Sequence, residues 1–328
     1  MPSNRSAPGA GSSELLTEPS DRTRDNLINW MHRDYHSNSP IGPAIMAILS
    51  IVTGRSVEYS YALMSGIATL GILACAWWWL NREANSLSWI RFPAFLLLLT
   101  NPAVVRCFIF LQTDALVSFW IVAVISLGII RFKNPQFWQL PVGAILLSTG
   151  LFVKLSFLPA LIFLPVIDAV RAFRQRTDLV RTVLVSGFAF VLVPLGSFFL
   201  FQRATGTEYM FGQELYWRGY IDREIPFIIE VTGRTLLFLA PLIVIGCKKF
   251  GNDDFVLGLC LMLYLASLWF GRAPGWDRHY LPLIAPAAVL AAKGLKSVAD
   301  RVGPSPVWAY VLLVCFLQYS TFAFKLVQ

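Results

Sequence analysis

The sequence contains little charge. Only 14% of its 328 residues are charged and 56% are hydrophobic, whereas soluble globular domains carry about a quarter charged residues. Long apolar segments recur from residue 44 to residue 327, and this pattern excludes a soluble domain and indicates an integral membrane protein. We therefore predict an all-α fold class, a polytopic bundle of membrane helices.

Paired cysteines and clustered basic patches are also missing. The five cysteines are scattered, mostly inside apolar runs, and no CxxC spacing occurs, so they are interpreted as small buried side chains. The net charge is +8, but most basic residues stand in short loops between apolar runs, where they act as topology signals. No nucleic-acid partner is expected.

The N-terminal region lacks the apolar core of a signal peptide. Residues 1–20 are rich in Ser, Pro and Gly and are predicted to be a disordered lead. Residues 21–55 are predicted to form a juxtamembrane segment, polar up to residue 40. Within it the apolar run Ile41–Val52 is too short to span a bilayer, which favours an interfacial helix. Residues 21–328 are interpreted as a single membrane domain.

Ten apolar runs predict about ten membrane spans. They are 60–80, 92–105, 114–130, 139–153, 156–170, 182–201, 226–246, 254–270, 280–293 and 306–326. If the spans alternate, one side of the membrane receives the most basic loops, and this side is predicted to be cytoplasmic. Those loops carry Arg82, Arg91, Arg131, Lys133, Arg171, Arg174, Arg176, Arg181, Lys248, Lys249, Lys293, Lys296 and Arg301.

Ionisable residues on the opposite face are the candidates for function. Asp114, Lys154 and Arg278 stand beside apolar sequence, and charged side chains at membrane depth usually face a cavity or a pathway. Arginines on this face, Arg106 and Arg218 among them, oppose the simple charge rule and suit an anionic ligand such as a phosphate.

The order of several short motifs resembles a known family. They are "DRTRDNLINWM", "SNSPIGPAIMAIL", "NPAVVRCFIFLQTDALVSFW", "GLFVKLSFLPAL" and "RHYLPLIAPAAVLAAKGL". In this order they resemble the GT-C glycosyltransferases, specifically the branch of protein O-mannosyltransferases and lipid A aminoarabinose transferases. The resemblance covers most of the chain from Asp21 to Leu295.

The resemblance implies a set of catalytic residues. The family's first acidic pair falls on Asp21, with Arg22 in place of the usual glutamate, and Asp25 is the alternative. The family's second acidic residue falls on Asp114, and the basic residue of its middle hairpin falls on Lys154. The resemblance also implies a divalent metal ion, Mg²⁺ or Mn²⁺, held by Asp21 and Asp114.

The resemblance also implies the substrates. The expected donor is a polyprenyl-phosphate-linked sugar and the acceptor a lipid, glycan or protein, with inverting transfer on the extracytoplasmic face of the plasma (inner) membrane. The family's Arg-Tyr motif becomes Arg278, His279 and Tyr280, with the histidine inserted. Predicted substrate-binding residues are Arg106, Lys154, Arg218, Arg278, His279 and Tyr280. The family has a transmembrane helix before its first acidic loop, and we expect one upstream of Met1.

The sequence is also compatible with two other classes of function. A transporter or flippase of lipid-linked or anionic substrates would place ionisable residues near the bilayer midplane and often contains internal repeats. A non-catalytic assembly subunit is the third class. The enzyme is preferred because the ionisable residues gather at the outer ends of the spans.

Overall fold

The computed structural model describes residues 41–82, 89–109, 114–205, 225–270 and 277–327. Within these ranges the chain is helical and has no β-strand, which confirms the predicted all-α class. The helices are α1 (Ile41–Thr53), α2 (Val57–Arg82), α3 (Arg91–Leu99), α4 (Pro102–Ile109), α5 (Asp114–Lys133), α6 (Gln139–Val153), α7 (Phe163–Gln175), α8 (Leu179–Gly187), α9 (Val193–Thr205), α10 (Ile225–Leu236), α11 (Ala240–Gly246), α12 (Asn252–Phe270), α13 (Leu281–Val302) and α14 (Pro304–Val327). The 3-10 turns Leu155–Ile162, Cys247–Lys249 and Asp277–Tyr280 and the π-helical turn Phe188–Leu192 lie between them.

Six helical stretches in the described ranges are long and apolar enough to cross a membrane. They are Tyr59–Arg82, Asp114–Lys133, Ser156–Gln175, Leu179–Ala204, Asn252–Trp269 and Leu281–Val302. Each overlaps one of the ten predicted spans. The chain is therefore an integral membrane protein, as its low charge indicated.

The other four predicted spans fall on shorter or interrupted helices, or on a helix whose side chains are only partly described. Span 92–105 is divided between α3 and α4, and span 226–246 between α10 and α11. Helix α6 has 15 residues, which corresponds to a length of about 22 Å, less than the ~30 Å of a hydrocarbon core. The total of ten spans stays a prediction.

The break between α3 and α4 has a local cause. Asn101 Oδ1 accepts a hydrogen bond of 3.1 Å from the Ala103 backbone N–H, and Pro102 occupies the first position of α4. A side-chain cap followed by proline is a common start for a new helix. The Asn101 amide also donates to the Thr235 carbonyl at 3.1 Å, so the break is tied to α10.

Helix α13 lies at the centre of the bundle. In its apolar 18-residue window, 89% of the residues are buried, against 22% for the stretch Leu179–Ala204. Its small residues let α11 approach closely: a Cβ atom at Gly294 would collide with the Leu242 backbone, and one at Gly246 would lie 2.6 Å from the Gly294 nitrogen. Alanine and glycine thus set the spacing between these helices.

The two ends of the bundle are marked by different charged groups. Helix α5 begins at Asp114 and ends at Lys133, so these residues lie at opposite ends. Asp253 pairs with both Arg82, at 2.8 Å, and Lys133, at 3.0 Å. We call the end with Asp253 the basic end and the end with Asp114 the site end.

Further residues predicted to be cytoplasmic also gather at the basic end. Lys293 pairs with Asp254 at 3.4 Å, and Lys249 pairs with Asp300 at 2.9 Å. Exposed aromatic side chains, which favour membrane interfaces, lie near this end: Trp77, Trp78, Trp89, Phe137 and Trp138. The predicted grouping of these loops on one side is therefore present in the fold, while the leaflet that this end faces stays a prediction.

Candidate active site at the site end of the bundle

The site end holds an ion pair between two of the predicted residues. Lys154 Nζ lies 2.8 Å from Asp114 Oδ1. The Asp114 side chain is 7% exposed and the Lys154 side chain 22%, so the pair is mostly withdrawn from solvent. Asp114 occupies the first turn of α5, where the helix dipole favours a carboxylate.

A chain break places Lys154 next to this carboxylate. Helix α6 ends at Val153, and Lys154 takes an extended conformation with φ −168° and ψ 143°. Its backbone N–H still donates to the Gly150 carbonyl at 3.3 Å, while the Phe157 ring packs so closely on Gly150 that a Cβ there would collide with it. The chain then continues as a 3-10 turn that contains Pro159. The break turns the lysine side chain out of the helix and towards α5.

The 3-10 turn Asp277–Tyr280 forms the second part of the site. It contains Arg278, His279 and Tyr280 and packs against α4, α5 and α10. His279 and Tyr280 are buried, and the Tyr280 hydroxyl lies 2.9 Å from Thr232 Oγ1. The late sequence motif is thus brought to the helix that begins with Asp114.

Arg106 reaches the same region through α4. It lies in the last turn of that helix, is half-buried, and belongs to an element that packs against the turn of His279 and Tyr280. The described structure therefore gathers segments bearing Arg106, Asp114, Lys154, His279 and Tyr280 at one end of the bundle.

Three predicted site residues lie outside the described residues. These are Asp21, Asp25 and Arg218. The roles assigned to them from the resemblance stay predictions.

Tyr264 is a neighbour of the site that the sequence reasoning missed. It is buried in α12, lies within electrostatic reach of Asp114, and packs edge-on against Phe163 with ring centroids 6.4 Å apart. A tyrosine in the middle of an apolar span, where its hydroxyl needs a polar partner, was the available signal.

The described residues do not by themselves make a divalent metal site. Magnesium prefers near-octahedral coordination by oxygen atoms, and no group of three His, Cys, Asp or Glu side chains occurs among the described residues. Asp114 supplies one carboxylate, and the Lys154 ammonium already lies against it. A metal would need Asp21 as a second ligand, so we derive no step through a metal ion.

Comparison with known proteins gives a structural match. No family model and no curated protein matches the sequence. The fold is similar to the crystal structures of ArnT from Cupriavidus metallidurans in the apo state, with a TM-score of 0.60 and 15% identity, and bound to undecaprenyl phosphate, with a TM-score of 0.59 and 14% identity.

The match is extensive for this chain and partial for ArnT. Each comparison covers 85% of this chain and 52% of the ArnT chain, so this chain spans about half the length of that protein. At such identity the similarity concerns the arrangement of helices, and it confirms the architecture implied by the motif order. The chain has the GT-C fold of ArnT.

Proposed function

We propose that this protein is a membrane glycosyltransferase that moves a sugar from a polyprenyl-phosphate donor to an acceptor on the extracytoplasmic face, with inversion. The observation that carries the proposal is the Asp114–Lys154 pair at one end of a GT-C helical bundle. The solved structure of ArnT with undecaprenyl phosphate supports a polyprenyl carrier.

Lys154 is suited to receive the donor phosphate. Its ammonium group is held at the end of the bundle beside a carboxylate, and 22% of the side chain is open to solvent. A donor phosphate can replace Asp114 as its partner, because charge-assisted hydrogen bonds to phosphate are strong. As the glycosidic bond breaks, the ammonium stabilises the negative charge that develops on the leaving phosphate.

Asp114 is suited to act as the general base. Once Lys154 turns to the phosphate, the carboxylate is available to accept the proton of the acceptor hydroxyl. The acceptor oxygen then bonds to the anomeric carbon as the bond from that carbon to the phosphate oxygen breaks. A single displacement of this kind inverts the configuration and releases polyprenyl phosphate.

The other predicted residues have supporting roles in the proposal. Arg106, His279 and Tyr280 lie in elements that pack together beside α5, where they can orient the phosphate, and Arg218 and Arg278 are proposed as further donor contacts. Apolar helix surfaces at the site end hold the isoprenoid tail. The acceptor is a lipid, a glycan or a protein.

A transfer assay tests the proposal. The purified chain in detergent is given a panel of radiolabelled polyprenyl-phosphate sugars together with lipid, glycan and peptide acceptors, and the label transferred is measured. We expect one donor to be used, and we expect Asp114→Asn to reduce its turnover at least 100-fold, within the usual range for loss of a general base.

A matched carboxylate variant is the control. Asp300 is paired with Lys249 and Lys296 at the basic end, so Asp300→Asn should keep full activity. If Asp114→Asn folds normally and transfers sugar at the rate of the unaltered protein, the assignment is wrong. Movement of an intact lipid-linked sugar across vesicles without cleavage would favour the flippase alternative.

A further inference from the structure

The hairpin between α7 and α8 has a fixed geometry at the basic end. Arg176 adopts a left-handed conformation, φ 52°, that ends α7, and the Thr177 N–H donates to the Ala172 carbonyl at 3.0 Å. The Asp178 carboxylate accepts the Arg181 backbone N–H at 3.0 Å and so caps α8. We call residues 174–181 the basic hairpin tip.

Three arginine side chains of this tip are accessible to a partner outside the chain. Arg174, Arg176 and Arg181 are exposed, and none of them forms an ion pair with the described part of the chain. By contrast, Arg171 lies 3.5 Å from the buried Asp168. Apart from the capping Asp178, the tip has no acidic side chain, so it presents a net positive charge.

Arg174 is also held in position. Its guanidinium carbon lies 4.0 Å from the centroid of the Phe255 ring and 5.9 Å from that of Phe132. Stacking on an aromatic face restricts the motion of the arginine side chain. Its N–H groups lie in the plane of the guanidinium group and stay available to a ligand. Because Phe132 lies in the last turn of α5 and Phe255 in the first turn of α12, the stack also places the hairpin tip at the basic end.

Exposed apolar side chains in and beside the tip indicate that it lies close to the membrane. Phe173, Val180 and Leu184 are 75%, 70% and 67% exposed, and they continue into Phe188, which is 62% exposed. They belong to, or adjoin, the span with the lowest buried fraction of the six, and such a surface is stable in hydrocarbon rather than water. The arginines at its end therefore lie at the depth of the lipid headgroups.

We propose that the basic hairpin tip binds the headgroups of anionic phospholipids in the leaflet at the basic end. Guanidinium groups form paired hydrogen bonds with phosphate oxygens, and the exposed Phe173 and Val180 contact the acyl chains of the same lipids. Each basic residue near a membrane surface strengthens binding to anionic lipid by about fivefold. This site is separate from the proposed donor site, since the 20 residues of α5 separate the two ends by about 30 Å.

Native mass spectrometry of the full chain tests the proposal. The detergent-solubilised protein is titrated with an equimolar mixture of dioleoyl phosphatidylglycerol and dioleoyl phosphatidylcholine, and the bound lipids are counted. We expect at least a tenfold preference for phosphatidylglycerol. The triple variant Arg174→Gln, Arg176→Gln, Arg181→Gln should lose most of this preference.

Three controls separate the tip from general charge effects and from the donor site. Arg301→Gln removes an exposed arginine at the same end, in the last turn of α13, and should keep the preference. Lys154→Ala should also keep it, so failure of the proposed transfer reaction leaves this test intact. If the triple variant does not fold, the pair Arg176→Gln, Arg181→Gln leaves the Arg174 stack in place and should lower the preference severalfold.

Two results would overturn the inference. The first is an unchanged preference for phosphatidylglycerol in a folded triple variant. The second is displacement of bound phosphatidylglycerol by an equal concentration of inorganic phosphate, which would mean that the tip binds the soluble anion rather than a lipid.

Discussion

The Asp114 carboxylate and the Lys154 ammonium lie 2.8 Å apart although 40 positions separate them in the chain. Two local events create this contact: α5 begins at the aspartate, and α6 ends one residue before the lysine. Both residues therefore lie at a helix terminus, and the contact between them requires no distortion of a continuous helix. In the proposed reaction this pair opens as the donor phosphate replaces Asp114 as the partner of Lys154.

Exchanging the two charges separates folding from function. Asp114→Lys or Lys154→Asp alone places like charges together in a mostly buried position and should destabilise the protein by about 3–5 kcal/mol. The double exchange restores attraction, so it should recover most of the stability measured by thermal unfolding in detergent.

The double exchange should still fail in the transfer assay, because it places the base where the donor phosphate binds. Recovery of both stability and turnover would show that the pair is purely structural. Recovery of neither would show that each residue has contacts specific to its side chain.

Gly294→Ala should destabilise the bundle strongly. The new methyl group would meet the Leu242 backbone on α11, and a backbone cannot move aside as a flexible side chain can. A loss of about 3 kcal/mol, at the upper end for overpacking, is expected in thermal unfolding. Gly258→Ala in α12 is the control, since nothing lies within 4 Å of its Cβ position. Equal unfolding temperatures for the two variants would contradict the close packing of α11 against α13.

Arg131→Met should be among the most damaging changes at the basic end. Arg131 Nε lies 2.9 Å from Asp168 Oδ2, and the side chains are 7% and 0% exposed. Removing the arginine leaves a buried carboxylate whose remaining partners are the Ser186 hydroxyl at 2.5 Å and the Arg171 guanidinium at 3.5 Å. Because these two partners only partly replace Arg131, a loss of about 3 kcal/mol is expected.

Two variants check the origin of that loss. The double variant Arg131→Met, Asp168→Leu removes both charges and should recover much of the stability, measured by denaturant unfolding in detergent. Lys249→Met breaks the exposed pair with Asp300 and should leave the unfolding curve unchanged. A folded Arg131→Met protein with the stability of the unaltered one would show that the pair contributes little.

Cysteine labelling tests the orientation of the bundle. Of the five cysteines, Cys247 is exposed and lies at the basic end, while Cys107 and Cys260 are buried and the other two are partly buried. An impermeant maleimide should label Cys247 only after the cells are opened, if the basic end is cytoplasmic.

The reverse experiment uses the site end. Arg55 is exposed next to the first turn of α2, so Arg55→Cys in a Cys247→Ser background should react in intact cells. Labelling of Cys247 from outside, with protection of the new cysteine, would invert the proposed topology.

The sequence predicted where the apolar helices lie better than where they break. Six of the ten predicted spans coincide with long apolar helices, because sustained hydrophobicity is itself the physical requirement for crossing a bilayer. The break at Lys154 falls between the predicted spans 139–153 and 156–170. The interruption at Asn101 and the π-helical turn at Phe188–Leu192 were not predicted. Each depends on a cap or a packing contact, which a hydropathy pattern does not contain.

Part of the site was predictable for a similar reason. Asp114 and Lys154 stood at the same membrane boundary in the sequence, which favoured their meeting. The acidic partners at the basic end were missed, because Arg82, Arg131 and Lys133 were interpreted only as topology signals. Asp168 inside a span and Asp253 at the start of another were the signals that could have revealed these pairs.

The enclosed position of α13 determines where the sequence of this protein can vary. Nearly every side chain along its length is pressed against a neighbouring helix, with 89% of its apolar window buried, so a saturation mutagenesis survey should find it the least permissive segment. The stretch Leu179–Ala204, only 22% buried, should accept almost any apolar replacement. Divergent homologues should thus share the small residues of the central helix long after their outer helices have ceased to be alignable.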